Sequence, residues 1–285
     1  MIINIFAPFL RKRVAKIAKE NVIIEGLMKS GEETNSCLFC TNKSSCFKQL
    51  DKRELELSDK HRVQLNFKQG ETIFKQGSFA NHVHFVKKGL VKLYMEIPNS
   101  EKNLVINILP SGNLMGLPSI YGNKVYTYTA TAIENTTICI IENSVIKDLI
   151  ENNGKFAAEL IKTMNYCSNS TFARFISLTH KQLNGRLADS LIYLSEEIYK
   201  STTFKLSLSR ADLGELTGMS TMSVVKVIKD FKDNNIIKNE DGTIEIINMK
   251  LQKLFILRIL RNTTRLQMDI LPIWKFYLKK EIKLV

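Results

Sequence analysis

The sequence has no uninterrupted run of eighteen apolar residues, because Arg258, Arg261 and Arg265 break its most hydrophobic stretch. A helix that spans a membrane is therefore not expected. The first residues also lack the order of a secretory signal, since their charged residues follow the apolar run instead of preceding it. These absences predict a cytoplasmic protein with no membrane partner.

Recognisable catalytic motifs are absent as well. None of the four histidines is placed by a motif beside a Ser, Cys or Asp partner, and no glycine-rich phosphate loop precedes a helix. An enzyme is therefore not expected, although five cysteines leave a metal-dependent oxidoreductase as an alternative. In a reducing cytoplasm the cysteines indicate metal ligands, reactive thiols or small buried residues rather than disulfides.

Acidic residues are few relative to basic ones, with 28 Asp and Glu against 41 Lys and Arg, a net charge of +13. This excess favours polyanionic partners, because basic side chains that neutralise phosphates release condensed counterions. Residues 250–285 alone hold nine basic and two acidic residues, a local charge of +7. An interaction protein that uses this segment on DNA or an anionic surface is a further alternative, and a solvated helix is the simpler interpretation.

The 285 residues are enough for two domains, and the sequence pattern changes along the chain. Short β-branched and aromatic runs between glycines, from Val63 to Ile141, predict an antiparallel β-roll. From Val145 to Leu178 the apolar residues recur at three- and four-residue steps, which predicts a long helix that pairs with a second surface. We expect an α+β fold in five parts: a basic extension at 1–36, a cysteine arm and β-roll sensor domain at 37–143, a dimerisation helix at 144–178, a winged helix-turn-helix at 179–249 and a basic extension at 250–285.

The segment from Phe204 to Ile247 has the pattern of a winged helix-turn-helix. Ser209 and Ser220 are placed to cap two short helices, and Gly218 between them allows a sharp turn. Two β runs around Asp241 and Gly242 predict a hairpin wing. In the second helix the positions that pack back on the first are Val224, Val227, Ile228 and Phe231. Left on or beside its outer face are Thr221, Met222, Ser223, Val225, Lys226 and Lys229.

These features resemble the Crp/Fnr family of bacterial transcription regulators over about residues 37 to 249. The roll carries the resemblance in GETIFKQGSFANHVHFVKKGLVKLY, and the helix-turn-helix carries it in SRADLGELTGMSTMSV. The resemblance implies a homodimer that binds palindromic double-stranded DNA and contacts RNA polymerase. It places the second helix in the major groove, where the candidate DNA contacts are Thr221, Met222, Ser223, Lys226 and Lys229. The family commonly has a glutamate at the position of Met222, so a hydrogen bond to a cytosine amino group is lost here.

The roll departs from the members of the family that bind cyclic nucleotides. Those members hold ribose and phosphate with a Gly-Glu pair and an Arg-Ser pair. The matching stretch here, GNLMGLPSIYGNKVYTYTATA, contains neither glutamate nor arginine. A cyclic phosphate would lack its bidentate partner, so cyclic AMP is not expected to bind.

Three of the five cysteines precede the roll as Cys37-x2-Cys40-x5-Cys46. Thiolates at this spacing can converge on one soft metal centre. The arrangement is similar to the oxygen-sensing Fnr branch, in which the same spacing and one distant cysteine on the last strand of the roll hold a 4Fe–4S cluster. Cys139 stands on that strand. The resemblance therefore implies Cys37, Cys40, Cys46 and Cys139 as cluster ligands and a response to oxygen or redox state.

Other interpretations of the cysteines remain open. A Cys-x2-Cys pair also suits zinc, with His61, His82 or His84 as a fourth ligand, and reactive thiols would sense redox state without metal. Cys139 alternates with isoleucines, a pattern typical of a small buried residue. Cys167 has no counterpart in the cluster set and falls at an apolar position of the predicted dimerisation helix.

Overall fold

The computed structural model describes residues 36–100, 102–122 and 124–247. The predicted C-terminal extension at 250–285, and all of the N-terminal extension except Ser36, lie outside the described residues. The chain divides into two units, 1–41 and 42–285. In the first unit the backbone N–H of Leu38 donates to Ser36 Oγ at 3.2 Å. None of the described helices has the length and apolar character needed to cross a membrane.

The second unit begins with a 3-10 turn, Phe47–Gln49, and helix α1 (Lys52–Lys60). Asp51 and Glu54 cap α1 reciprocally, because each side chain accepts the other residue's backbone N–H at 2.8 Å. Eight strands follow: β1 (Arg62–Phe67), β2 (Thr72–Phe74), β3 (His82–Lys88), β4 (Leu90–Met95), β5 (Leu104–Pro110), β6 (Leu114–Met115), β7 (Thr129–Ala132) and β8 (Thr136–Glu142).

The eight strands form two antiparallel four-stranded sheets, in the orders β1-β8-β3-β6 and β2-β7-β4-β5. Alternate side chains of both sheets point inward and make one apolar core, which includes Val86, Val91 and Ile138. The turn from β3 to β4 requires Gly89, whose φ is 98° and whose Cβ would lie 2.4 Å from Thr136 Oγ1. The predicted antiparallel roll is confirmed.

Two helices follow the roll where the sequence predicts one. They are α2 (Asn143–Asn152) and α3 (Gly154–His180), and Asn153 between them is extended, with φ −128° and ψ 94°. The Asn153 side-chain oxygen accepts the N–H groups of Lys155 and Phe156 at 3.1 and 3.0 Å, and its amide donates to the Glu54 carboxylate at 2.9 Å. Asn153 therefore ends α2 and caps α3, so the prediction of one continuous helix over 144–178 is wrong at this residue.

The C-terminal part of the unit has the predicted helix-turn-helix and wing. Helix α4 (Leu183–Tyr193) continues into a π-helical turn, Leu194–Tyr199, and the remaining elements are β9 (Thr203–Lys205), α5 (Arg210–Thr217), α6 (Thr221–Asp233), β10 (Ile237–Glu240) and β11 (Thr243–Ile246). The three strands form a sheet in the order β10-β11-β9. The hairpin turn has positive φ at both Asp241 (47°) and Gly242 (78°), which matches the twist of the flanking strands.

Helices α5 and α6 approach closely at Gly214. A Cβ at this position would lie 2.9 Å from the carbonyl oxygen of Met219, a backbone atom that cannot rotate away. The close contact lets Leu213 and Leu216 of α5 pack against Val224 and Val227 of α6, all of which are buried. Gly214 therefore sets the crossing of the two helices.

We expect Gly214→Ala to lower the free energy of unfolding by about 1 to 3 kcal/mol, because the added methyl group forces the helices apart. Gly154→Ala is the matched control, since a Cβ there has no neighbour within 4 Å and lies in the first turn of α3. The free energy of unfolding of both variants is measured by urea unfolding, with circular dichroism as the signal. Equal stability of the two variants would contradict this account of the crossing.

Candidate nucleic-acid interface

Helix α6 has one completely buried face and one exposed face. Its first turn is capped by Ser220, whose hydroxyl accepts the backbone N–H of Ser223 at 3.1 Å. The buried face consists of Val224, Val227, Ile228 and Phe231. Since these four positions are the ones that the sequence predicts to pack on α5, the orientation of α6 is confirmed.

Four of the five predicted DNA contacts, Thr221, Met222, Lys226 and Lys229, are exposed on α6. The fifth, Ser223, is half-buried, and its hydroxyl lies 2.8 Å from Ser220 Oγ in the helix cap. Val225, which the sequence places beside the outer face but which was not among the five, is 47% exposed. It lies one helical turn after Met222, on the exposed side of the helix.

An ion cluster joins strand β4 of the roll to helix α5. The Lys92 ammonium donates to Asp212 Oδ1 and lies 3.5 Å from Glu215 Oε2. Asp212 also caps α5, since its other oxygen accepts the backbone N–H of Ser209 at 2.9 Å. Burial acts to lower the pKa of Lys92, but the hydrogen bond and charge of Asp212, with the charge of Glu215, outweigh it, so this pKa is raised.

Arg174 of α3 contacts the roll and α5 together. Its half-buried guanidinium donates to the carbonyl oxygens of Val105 and Ile106 on β5, at 2.6 and 2.9 Å, and to that of Leu216 on α5 at 3.0 Å. The Tyr193 hydroxyl of α4 adds a bond to the Ile108 carbonyl oxygen at 3.0 Å. These bonds fix the helix-turn-helix against β5 and α3.

The predicted metal ligands differ in their surroundings. Cys46 is fully buried and lies 3.5 Å from Ser44 Oγ, and Cys139 on β8 is buried and accepts a hydrogen bond from Arg62 Nη1 at 3.4 Å. Cys37 and Cys40 are half-exposed. Within residues 36–100, 102–122 and 124–247, no three His, Cys, Asp or Glu side chains are grouped so that they could hold a metal ion.

The histidine alternatives for a zinc ligand lie in or next to the roll. His84 on β3 is buried with its ring centroid 4.8 Å from that of Phe74 and 5.7 Å from that of Tyr126. Burial, with a smaller effect of the His82 charge, lowers the pKa of His84 to about 4, so the ring is neutral at physiological pH. Its aromatic contacts make His84 part of the roll core.

The stretch that corresponds to a cyclic-nucleotide site is occupied by the protein's own groups. Gly116 adopts a left-handed conformation with φ 85°, and its backbone N–H donates to the Tyr128 hydroxyl at 2.9 Å. A short 3-10 turn, Leu117–Ser119, follows, and both of its end residues are buried. The sequence of this stretch supplies no arginine or glutamate to a ligand.

Two family models match the two halves of this fold. The cyclic nucleotide-binding domain model matches residues 64–153, and the Crp-like helix-turn-helix domain model matches residues 185–253. A β-roll followed by a winged helix-turn-helix, in this order, defines a DNA-binding transcription regulator. With the relatives described next, the two matches show that the chain belongs to the Crp/Fnr family.

The chain is 26% identical over 185 residues to the transcriptional activator protein FnrA of Stutzerimonas stutzeri. The matched region covers 64% of this chain and 75% of that protein. The same identity and coverage relate it to the transcriptional activator protein anr of Pseudomonas aeruginosa. The structure of FixK2 from Bradyrhizobium japonicum matches with a TM-score of 0.63 at 18% identity, over 68% of this chain and 96% of that one, and shows the fold alone. The Crp-like helix-turn-helix family and the two activators are transcription regulators rather than enzymes, which decides against the oxidoreductase alternative.

We expect Lys92→Met to lower the free energy of unfolding at neutral pH by about 2 kcal/mol, because it leaves two largely buried carboxylates without a cation. Burial raises the pKa of Asp212, but hydrogen bonds from Lys92 and Ser209 outweigh it, so this pKa lies below its ordinary value of 3.8. The stability that Asp212 gains is therefore present above pH 3.8 and is lost as the pH falls through the lowered pKa.

The difference between the wild type and Lys92→Met should accordingly shrink in acid, as measured by urea unfolding over a pH series. Lys75→Met is the control, because Lys75 makes an exposed ion pair with Glu96 at 3.7 Å in the same roll. An equal loss of stability in both variants would rule out a special role of the ion cluster.

Proposed function

We propose that the protein is a cytoplasmic homodimer that binds inverted-repeat DNA through α6 and contacts RNA polymerase, in response to a redox signal. The observation that carries the DNA-binding part is the exposed face of α6, which has two lysines and no carboxylate between Thr221 and Lys229. Such a face suits the major groove, where bases and phosphates are reached together. The contact with RNA polymerase is proposed because the chain resembles Crp/Fnr regulators.

The proposal of a homodimer rests on an apolar face of α3. Ile161, Met164, Phe172 and Phe175 are all exposed, and at 3.6 residues per turn they share one side of the helix. Phe172 and Phe175 are 63% and 64% exposed, which is unfavourable for large aromatic side chains in water. Pairing of α3 with the same helix of a second copy would bury this stripe and bring two α6 helices onto one duplex.

The DNA contacts divide by chemistry. Lys226 and Lys229 extend from the outer face of α6 and are proposed to contact a guanine edge or phosphates. Thr221 and Met222 occupy the first turn, which enters the groove most deeply in this class of domain. Ser223 is retained as a candidate, although its hydroxyl is already engaged with Ser220.

We expect the full-length protein to prefer an inverted repeat, selected from a random library by the protein itself, over a scrambled duplex at physiological salt. Phe172→Glu places a charge in the apolar stripe and should give a monomer that binds this repeat about 100-fold or more weakly, since linking two sites raises avidity by at least that factor. Sedimentation and fluorescence anisotropy measure the two effects.

Phe79→Glu is the matched control, because Phe79 is equally exposed, at 64%, but belongs to the roll. It should remain dimeric and bind normally. Equal affinity of the wild type for the repeat and the scrambled duplex would refute the proposed DNA recognition. A dimeric Phe172→Glu protein would refute the proposed dimer surface.

The proposed signal is oxygen or redox state, sensed through a 4Fe–4S cluster held by Cys37, Cys40, Cys46 and Cys139. The donor chemistry supports it, because such clusters are held by cysteine sulfurs, and the hydrogen bond from Arg62 to the Cys139 sulfur is of the kind that sets a cluster's reduction potential. The burial of Cys46 and Cys139 also fits ligands screened from water. The four sulfurs do not form a grouped site among the described residues, so cluster binding would have to draw them together. A bound cluster would supply reactivity toward oxygen, and the protein would supply the thiolates and their surroundings.

Cyclic AMP is not proposed as the effector. The backbone N–H of Gly116 is already bonded to Tyr128, and the stretch from Gly112 to Ala132 offers a cyclic phosphate no arginine. Burying the phosphate there would leave its charge without a partner. Zinc held by the same cysteines is the second candidate, favoured by the Cys-x2-Cys spacing.

We expect protein purified without oxygen to be brown and to contain iron and sulfide, and Cys46→Ser and Cys139→Ser each to lose the cluster absorbance, because ligands of one cluster act together. Cys167→Ser is the control and should keep it. Circular dichroism verifies that each variant is folded. Colourless protein with stoichiometric zinc, or full cluster absorbance in Cys139→Ser, would contradict the iron–sulfur proposal and leave the proposed DNA binding intact.

A further inference from the structure

The exposed face of α6 begins with two apolar side chains, Met222 and Val225. Met222 is 79% exposed and Val225 is 47% exposed. They are three residues apart, so they lie side by side on the helix, Met222 opposite the buried face and Val225 beside it. The core of the domain is complete without them, since four other apolar residues of α6 fill the contact with α5.

The surroundings of this pair favour a nucleic acid as its partner. Lys226 and Lys229 follow on the same face, both exposed, and the first nine residues of α6 contain no carboxylate. Apolar side chains bordered by cations suit a surface that combines apolar groups with phosphates. The thioether of Met222 is flexible, so it can fit closely against a small apolar group.

The major groove offers one apolar group, the 5-methyl group of thymine. The other groups on the base edges are hydrogen-bond donors and acceptors, which neither Met222 nor Val225 can satisfy. Pressing these side chains onto a cytosine or guanine edge would leave polar groups desolvated without partners. The pair therefore favours thymine and penalises bases that require a hydrogen bond.

We propose that Met222 and Val225 read thymine methyl groups in each half-site, and that this contact determines base specificity at one or two positions. The inference rests on the proposed DNA binding by α6 and adds to it the class of base that is recognised. A glutamate at the position of Met222 would instead accept a hydrogen bond from cytosine. The specificity at this position thus differs from that of a regulator with glutamate there.

The experiment replaces single thymines by deoxyuridine in an inverted-repeat duplex selected from a random library by the full-length protein. Deoxyuridine lacks only the methyl group and keeps the base pair. At one or two thymines per half-site the affinity of the wild type should fall about fourfold, the factor that corresponds to burial of one methyl group. Met222→Ala and Val225→Ala should each abolish the discrimination between thymine and uracil at one of these positions.

Two control variants carry the same Met-to-Ala and Val-to-Ala changes in the roll, away from the proposed DNA-binding helix. Met95→Ala and Val125→Ala change residues that are 43% and 39% exposed. Both should keep the full preference for thymine. All four substitutions remove exposed side chains, so the variants are expected to fold, and circular dichroism verifies this.

The outcomes separate this inference from the proposed function. If deoxyuridine at every thymine leaves the affinity for the selected duplex unchanged, the inference is wrong and the proposed DNA binding stands. If no duplex is enriched, both fail together. If Met222→Ala and Val225→Ala keep both DNA affinity and discrimination but lose binding to RNA polymerase, the pair is a protein-docking surface and the inference is wrong.

Discussion

The ion cluster of Lys92, Asp212 and Glu215 fixes the DNA-reading part of the molecule relative to the roll. Asp212 has two functions at once, because it caps the first helix of the helix-turn-helix and binds the ammonium of a strand in the other domain. Removing Lys92 would leave two carboxylates that are largely shielded from water without a cation. The resulting loss of stability is larger than the stability that an exposed ion pair contributes. The orientation of α6, which crosses that helix at Gly214, follows from this contact.

Apolar packing and hydrogen bonds to backbone carbonyl groups also hold the helix-turn-helix against the roll. One core contains Leu90, Val105 and Ile108 from the roll together with the buried side chains of α4, α5 and α6. Arg174 bonds two carbonyl groups of β5 and one of α5 with a single guanidinium. Since the three acceptors share one donor group, β5, α3 and α5 cannot shift independently without losing a bond. A displacement of the roll would therefore have to break these contacts or carry α3 and α5 with it.

Features that depend on local chemistry could be predicted from the sequence, and those that depend on distant contacts could not. The Ser209 cap, the left-handed Gly218 and the Asp241–Gly242 turn follow from residue types at fixed offsets, and all are present. The ion pair of Lys92 with Asp212 joins residues 120 apart and leaves no periodic signal. The helix break at Asn153 lies between these cases, because its oxygen caps α3 locally while its amide binds Glu54, which is 99 residues away. On α6, a helical projection could not distinguish Ser223, which is engaged in a cap, from the exposed Val225.

The ion cluster limits how the two domains can be exchanged with those of other proteins. The two halves match separate family models and look like independent modules, yet two acidic residues of one depend on a lysine of the other. A chimera that grafts this helix-turn-helix onto a foreign roll would import Asp212 and Glu215 without their cation. Such a graft needs a lysine at the strand position equivalent to Lys92, or neutral residues in place of both acids. The unit of modular engineering in this protein is therefore the helix-turn-helix together with one side chain of strand β4.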